Sequence, residues 1–386
     1  MNMKIIAVAI VAVVAIAGIG VGLAVANNDN GDSGITIVDG SGKTISIDKP
    51  LSNVAVINKN IPRVLIMYKL ESKVSCYHYK DPIGASYEST ATKLGTYYTP
   101  SVETLLEKNV EAVLCPVSSM TLYASYQTAC ENVGIKVIRL DCNGASLYDD
   151  MKKISKLFGD PEDATKVLDE YQSNYNKIIE AATNQITSTS ATKPVFMVAG
   201  SSSIFAVYNH TSAASNNFGQ IFGENITTFT DLSTKGVTNA FDTGTIEVIH
   251  GVQDKLGILI VRGGTGDKTI GNMDTAYARV VGDASHPLTQ DATAMKNGQA
   301  YVLNNNLSSG LGMPMGILLL AEKVYGDFSV TLTFNGVEKT YSGLAEMSTA
   351  VTDFLEAYSP GAIDAGSVLL ASYAADSYAG VVVATL

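Results

Sequence analysis

Short apolar runs along this chain alternate with stretches whose apolar residues recur at helical spacing, and one long amphipathic segment stands between two such series. In that segment, from Asp160 to Thr187, the residues Ala164, Val167, Leu168, Tyr171, Tyr175, Ile178 and Ala182 form a single stripe, with Lys166, Glu170, Lys177 and Glu180 off it. This is the pattern of a helix with one covered face and one wet face. Asp160 stands where a cap is wanted, Pro161 suits the first helical position, and Glu162 and Asp163 put negative charge at the positive end of the helix dipole. About 25 residues at 1.5 Å each span roughly 37 Å, the width of a domain. The segment is therefore either an ordinary crossover helix or a rigid spine between two lobes.

On its N-terminal side, Ile35–Val38 and Lys43–Ile47 alternate around Asp39-Gly40-Ser41-Gly42 and predict a hairpin. Strands at Val54–Ile57, Val74–Cys76, Ala112–Leu114 and Lys136–Leu140 then alternate with helices around 61–70, 102–108 and 123–133. Short apolar strands in alternation with helices predict a parallel sheet covered on both faces, with ligands beyond the carboxyl ends of the strands. Past Asp327, Val330–Phe334 and Val337–Tyr341 around Asn335-Gly336 predict a second hairpin, and Met347–Tyr358 a helix. The tail to Leu386 is low in charge and too broken by Gly and Asp to span a membrane. The first 33 residues differ: after Lys4 the chain is uncharged from Ile5 to Ala26, near the ~20 residues that span a bilayer, and Ala24-Val25-Ala26 offers a small-residue cleavage site. Export across the cytoplasmic membrane is expected, with a cleaved signal and an uncleaved anchor both open; no Cys lies near the end of the run to carry a lipid. The expected division is leader and linker 1–33, N-terminal α/β lobe 34–159, interlobe helix 160–187, C-terminal α/β lobe 188–327 and an extension 328–386 packing on the C-lobe.

Composition narrows the function. The net charge is -11 with 16% charged residues, and Lys and Arg form no basic run, which argues against a nucleic-acid partner. Candidate ligand contacts follow from the topology. In the N-lobe these are Asn58 and Lys59 after the first strand, with Arg63 on the next helix; Tyr77, His78 and Tyr79 after the second; and Ser118 and Ser119 after the third. In the C-lobe they are Ser201 and Ser202, Arg262 before a Gly-Gly turn, and Asn304 and Asn305. Nineteen Tyr against 10 Phe suit a wet pocket in which aromatic faces and a few fixed donors hold a large or chelated ligand. For each of these tyrosines a half-buried surface position is the plainer reading, and for Arg262 a solvated loop arginine. The four His residues lie too far apart for metal-ligand spacing. Cys76, Cys115 and Cys142 each follow a strand, towards the cleft edge, and Cys130 lies on a helix; small buried residues, a disulfide and a soft-metal set are all open, the last least favoured without C-x-x-C spacing. Asn209, Asn225 and Asn306 carry the N-glycosylation spacing. A phosphate loop at Gly263–Thr269 is spoiled by Asp267, and G-x-S-x-G and H-E-x-x-H are absent, so no enzyme is proposed.

Several segments carry a resemblance in their order and spacing: ITIVDGSGKTISIDKP, LGTYYTPSVETLLEKNVEAVLCP, ENVGIKVIRLD, the long helix after GDPEDA, KPVFMVAG, FDTGTIEVIHGVQDKLGILIV, and MKNGQAYVLNNN before a helix from Pro314 to Tyr325. Together, over roughly Ile35 to Asp327, they resemble the extracytoplasmic substrate-binding proteins of ABC importers for iron-siderophores, haem and cobalamin. The resemblance implies two Rossmann-like α/β lobes bridged by one long helix, with the ligand in the cleft between. It places Tyr97 and Tyr98 in a cleft-lining loop, and it gives Glu103 and Glu247, one per lobe, the role of docking arginines of the permease. It further implies permease and ATPase partners, a location at the outer face of the cytoplasmic membrane, no enzyme activity and no cofactor beyond the captured chelate. A surface receptor or scaffold using the same fold without transport is the alternative.

Overall fold

The first hairpin shows how alternation becomes packing. In the computed structural model, which describes residues 34–78, 90–94, 101–117, 120–200, 206–208, 210, 212–230, 249–263, 268–281, 291–360, 363–374 and 377–386, β1 (Ile35–Val38) and β2 (Thr44–Ile47) pair antiparallel, with Ile37 opposite Ile45. Ile37, Ile45 and Ile47 are buried, as a period of two requires. Asp39 closes the turn, its Oδ1 accepting from the amides of Ser41 and Lys43 at 2.9 and 3.0 Å. Its Oδ2 accepts from the Arg139 amide at 3.2 Å, so the hairpin is pinned to the end of the first sheet.

That sheet is five-stranded and wholly parallel. It contains β3 (Val54–Val56), β4 (Val74–Tyr77), β5 (Thr92–Lys93), β6 (Ala112–Cys115) and β7 (Lys136–Arg139), in the order β5-β4-β3-β6-β7. Its helices are α1 (Ile61–Met67), α2 (Val102–Glu107), α3 (Met120–Asn132) and α4 (Leu147–Leu157). The strands read as unbroken apolar runs because both faces are covered. Ala55, Ile57, Cys76, Val113, Cys115 and Val137 feed a core beneath α2 and α3, whereas Val54, Val56, Leu114 and Ile138 face the larger core shared with the rest of the molecule.

The spine follows as α5 (Glu162–Ser188), 27 residues long. Ala164, Leu168, Tyr171, Ile178 and Ala182 are buried along it, with Val167 and Tyr175 packed at the margin. Its expected cap is not formed. Gly159 and Asp160 both take left-handed backbone, φ 83° and 50°, and the Asp160 carboxylate turns back to accept from Ser155 Oγ at 2.9 Å, closing α4 instead of opening α5. Pro161 accordingly occupies the cap position itself.

The second sheet is mixed and six-stranded, in the order β15-β14-β11-β10-β8-β9. Its strands are β8 (Phe196–Gly200), β9 (Ala206–Tyr208), β10 (Ile258–Arg262), β11 (Ala300–Leu303), β14 (Val368–Ala374) and β15 (Ser377–Thr385). β8, β10 and β11 run parallel; β9, and then β14 and β15, add antiparallel edges. The chain after Asp327 thus supplies two strands of this sheet. It also supplies the hairpin β12 (Ser329–Phe334) and β13 (Val337–Ser342), which lies along α5 with the last long helix beyond it. Further helices are α6 (Ala213–Phe218), α7 (Ile270–Val281), α8 (Thr293–Lys296), α9 (Met313–Tyr325) and α10 (Gly343–Tyr358). α9 is buried continuously from Met313 to Glu322 and packs against both α5 and α10.

The side of α5 expected to be wet is in part a docking surface. Glu170 accepts from the amides of Asn335 and Gly336 at 2.9 and 2.8 Å and from the Tyr358 hydroxyl at 2.5 Å. Asn174, a polar residue inside the apolar stripe, accepts from the Thr333 amide at 2.8 Å and donates to its carbonyl at 2.5 Å, pairing with the edge of β12 as a strand would. Among the described residues no helix is long and apolar enough to cross a membrane; the segment from Ile5 to Ala26 lies outside them.

Candidate functional site

Two asparagine loops face each other across the junction of the lobes, and they are built alike. After β3, Asn58 Oδ1 accepts from the amides of Asn60 and Ile61 at 2.6 and 3.3 Å, while its Nδ2 donates to the Leu140 carbonyl at 3.1 Å. After β11, Asn304 Oδ1 accepts from the Asn306 amide at 3.1 Å, while its Nδ2 donates to the Val368 carbonyl at 3.1 Å. Each is an Asx turn that also ties its loop to the neighbouring chain segment. Both residues are 5% exposed. Their amides are spent on the protein, so Asn58 and Asn304 shape the loops that the sequence had them lining.

The lobes touch through these loops. Arg63, on the first turn of α1, donates from Nη2 to Asn306 Oδ1 at 2.6 Å. Asn143, after β7, accepts from the Gly310 amide at 3.0 Å. Gly310 has φ +62°, which favours glycine, and a Cβ there would stand 3.0 Å from Asn60 Oδ1, so that side chain would have to yield as well. Tyr171 of the spine donates to the Leu311 carbonyl at 2.9 Å, fixing the same segment from behind.

Positive charge collects here. Arg262 ends β10, and its guanidinium donates from Nε to Ser308 Oγ at 2.9 Å and from Nη2 to Ser309 Oγ at 3.0 Å and Asn305 Oδ1 at 3.3 Å. It also lies over the Tyr208 ring, 5.0 Å from the centroid, where the ring face favours a cation. Across the junction, Lys59 reaches solvent, yet the protein around its ammonium, together with the charges of Arg262 and then Arg63, holds its pKa down to about 8. Burial and Lys93 lower the pKa of the half-buried His78, favouring neutral imidazole. Tyr77 is buried at the end of β4.

Other expected residues fall elsewhere. Glu103 is exposed in the first turn of α2, whose Ser101 cap accepts from the Thr104 amide at 3.1 Å. Tyr79, Tyr97, Tyr98, Ser118, Ser119, Ser201, Ser202 and Glu247 lie outside the described residues. The cysteines do not line the cleft: all four are buried free thiols, with Cys76, Cys115 and Cys130 in the core under α3. Their strand-end positions misled because alternate residues of a covered strand face opposite cores. Cys142 is fully enclosed, its amide donating to Asp150 Oδ2 at 3.0 Å. Among the described residues no group of metal-ligating side chains is assembled. Asn225, one of the glycosylation acceptors, is 3% exposed and donates to Ser215 Oγ at 2.8 Å, which excludes the modification in the folded protein. The residues that the sequence reading did not select are Tyr208, Ser308 and Ser309, while Asn306 closed the asparagine run that it did select. The Asn-rich run pointed towards Asn306; nothing in sequence marked Tyr208, which reaches Arg262 from an antiparallel edge strand. A separate cavity of about 110 Å³, walled by Tyr148, Tyr171, Tyr175, Asn217 and Met313, lies where the lobes meet the spine and holds none of these cations.

No family model and no curated protein matches the chain. Solved structures do. A TroA-like periplasmic binding protein FepB from Veillonella parvula superposes with a TM-score of 0.59 at 13% identity, over 87% of this chain and 99% of that one. A periplasmic heme binding protein from Pseudomonas aeruginosa gives 0.53 at 13% identity, over 71% and 92%. An ABC-type Fe3+-hydroxamate transport system from Saccharomonospora viridis gives 0.53 at 15%, over 75% and 98%. The chain therefore shares the two-lobed α/β fold of these binding proteins, with its own α5 running between the two sheets in sequence.

Proposed function

We propose that this protein is an extracytoplasmic receptor that captures an iron chelate, a ferric siderophore or haem, and presents it to an ABC importer. The observation that carries the reading is the convergence of Lys59, Arg63 and Arg262, drawn from both lobes, at the carboxyl ends of two sheets in a fold shared with periplasmic binding proteins. Ligands of open α/β sheets sit at such ends. Three cations on a chain of net charge -11 suit an anion, because a locally positive recess on an acidic surface attracts and orients it. Guanidinium forks fixed by Ser308, Ser309, Asn305 and Asn306 are pre-organised for carboxylate or catecholate oxygens.

The proposed ligand set retains Lys59, Arg63, Tyr77, His78, Arg262 and Asn305, with Tyr79, Tyr97, Tyr98, Ser118, Ser119, Ser201 and Ser202 as its further members, and adds Tyr208. Exposed Glu103 and its C-lobe counterpart Glu247 are the proposed contacts for the permease, one per lobe. The apolar leader gives the proposed route out of the cytoplasm. Since α5 and α9 share one core with both sheets, closure on a ligand is a small hinge movement. Uptake of radio-iron by cells carrying the wild-type gene or an Arg262→Ala, Lys59→Ala double variant tests the role; undiminished uptake at unchanged protein level overturns it.

A further inference from the structure

We infer that the cavity where the lobes meet the spine is a second binding site, for a small neutral molecule of one aromatic ring with a hydroxyl group, the phenol class. It stands apart from the cationic junction and does not depend on what that junction holds. Its walls come from three parts of the chain. The N-lobe supplies Ala145 and Tyr148, the spine supplies Tyr171 and Tyr175, and beyond the spine come Asn217 of α6, Gln220 just past it and Met313 at the head of α9. Tyr171 and Tyr175 are four residues apart and so share one face of α5. Tyr171 has already given its hydroxyl to the Leu311 carbonyl at 2.9 Å, which leaves its ring to the cavity. Beside this wall the lobes are in close contact, since a Cβ on Gly144 would stand 2.5 Å from that of Ala213.

Size, charge and polarity set the class of ligand. The volume of about 110 Å³ suits one six-membered ring, given that a cavity of about 150 Å³ takes benzene. Tyr171, Asn217 and Met313 are buried and form the floor, whereas Ala145 and Gln220 are exposed and form the mouth. None of the lining side chains carries a charge, so an ion drawn in would lose its water without gaining a counter-charge. Tyrosine faces and a methionine side chain are good neighbours for an aromatic ring. The polar requirement comes from Asn217, which is 4% exposed and whose Nδ2 has no hydrogen-bond partner. Other buried asparagines nearby spend this group on the protein, Asn225 on Ser215 Oγ and Asn174 on the Thr333 carbonyl. A buried amide left incomplete is costly, and a hydroxyl completes it because it can both accept and donate.

The test is isothermal titration calorimetry of the full chain with phenol, toluene and benzoate, on the wild type, Asn217→Leu and Ala145→Phe. Phenol is expected to bind one site, with a dissociation constant on the order of 1 mM for so small a ligand, and toluene about tenfold more weakly for want of the hydrogen bond. Asn217→Leu keeps a branched side chain without the amide and is expected to weaken phenol about tenfold while leaving toluene unchanged or tighter. Ala145→Phe changes an exposed residue, places a ring of the chain's own in the mouth, and is expected to abolish both. Thermal melts of the two variants without ligand confirm that they are folded. Phenol that does not bind, that binds no better than toluene, or that binds both variants as it binds the wild type overturns the site. Benzoate heat that Ala145→Phe removes overturns the assignment of a neutral ligand. None of these outcomes bears on the receptor reading, which rests on other residues.

Discussion

Glu322 offers the clearest test of how the chain beyond Asp327 is joined to the C-lobe. It lies near the end of α9, 3% exposed, where Oε2 accepts from the Phe328 amide at 3.1 Å and the Asp327 carboxyl stands beside it. Burial first, and then Asp327, raise its pKa from 4.5 to about 7; the Phe328 amide opposes them. Folded protein thus binds more protons than unfolded protein between those values, and stability falls as pH rises through about 4.5 to 7. A rise of that size at about 1.4 kcal/mol per unit sets an upper limit of about 3.5 kcal/mol. Glu322→Gln keeps the shape, removes the charge and is expected to stabilise the protein at pH 8 by about 1 to 3 kcal/mol, with a difference near zero at pH 4.5. Urea unfolding at a series of pH values, with the slope against denaturant held constant, measures this directly. A difference between variant and wild type that does not change with pH would refute the assignment of a raised carboxyl.

Three further outcomes follow from the junction and the cores. Arg262→Ala removes charge-assisted donors worth about 1.5 to 3 kcal/mol each to a bound anion, so the dissociation constant for an anionic chelate is expected to rise at least tenfold, which equilibrium fluorescence quenching would read. Gly310→Ala combines a left-handed backbone with a contact on Asn60 and is expected to cost about 1 to 2 kcal/mol in urea melts; a neutral effect contradicts the described seam. The four buried thiols are expected to stay unreactive towards a bulky aromatic disulfide in the native protein and to react in full on unfolding, and early labelling of Cys76 or Cys115 would place them back at the cleft.

Much of the framework was legible in the sequence because burial leaves periodic marks. The stripe from Ala164 to Ala182 became the covered face of α5, and the apolar runs became parallel strands. Asparagines after strands marked the loops that meet between the lobes, although Asn58 and Asn304 build those loops from within. What the sequence could not give is partnership across distance. Glu170 fell off the apolar stripe and read as a solvated helix residue, yet the turn between β12 and β13, some 160 residues later in the chain, uses its oxygens. Asp160 had the identity of a cap and the wrong backbone for one, since the left-handed exit from α4 turned it backwards. Tyr208 and Arg262 belong to strands some 50 residues apart in sequence, and only the order of the second sheet, with β9 at its edge, brings ring and guanidinium together.

The central claim is that the cations between the lobes hold an anionic iron chelate, and a direct binding measurement decides it. Residues 34–386, with and without Lys59→Gln and Arg262→Gln together, are titrated by thermal shift with a ferric catecholate, a ferric hydroxamate, haem and cobalamin. A ligand present at about 100 times its dissociation constant stabilises the folded state by about 2.7 kcal/mol. The account predicts a shift of that order with an anionic chelate or haem for the wild type, and its loss in the double variant. A well-folded wild type that responds to none of the four, or a double variant that binds as tightly as the wild type, would contradict it.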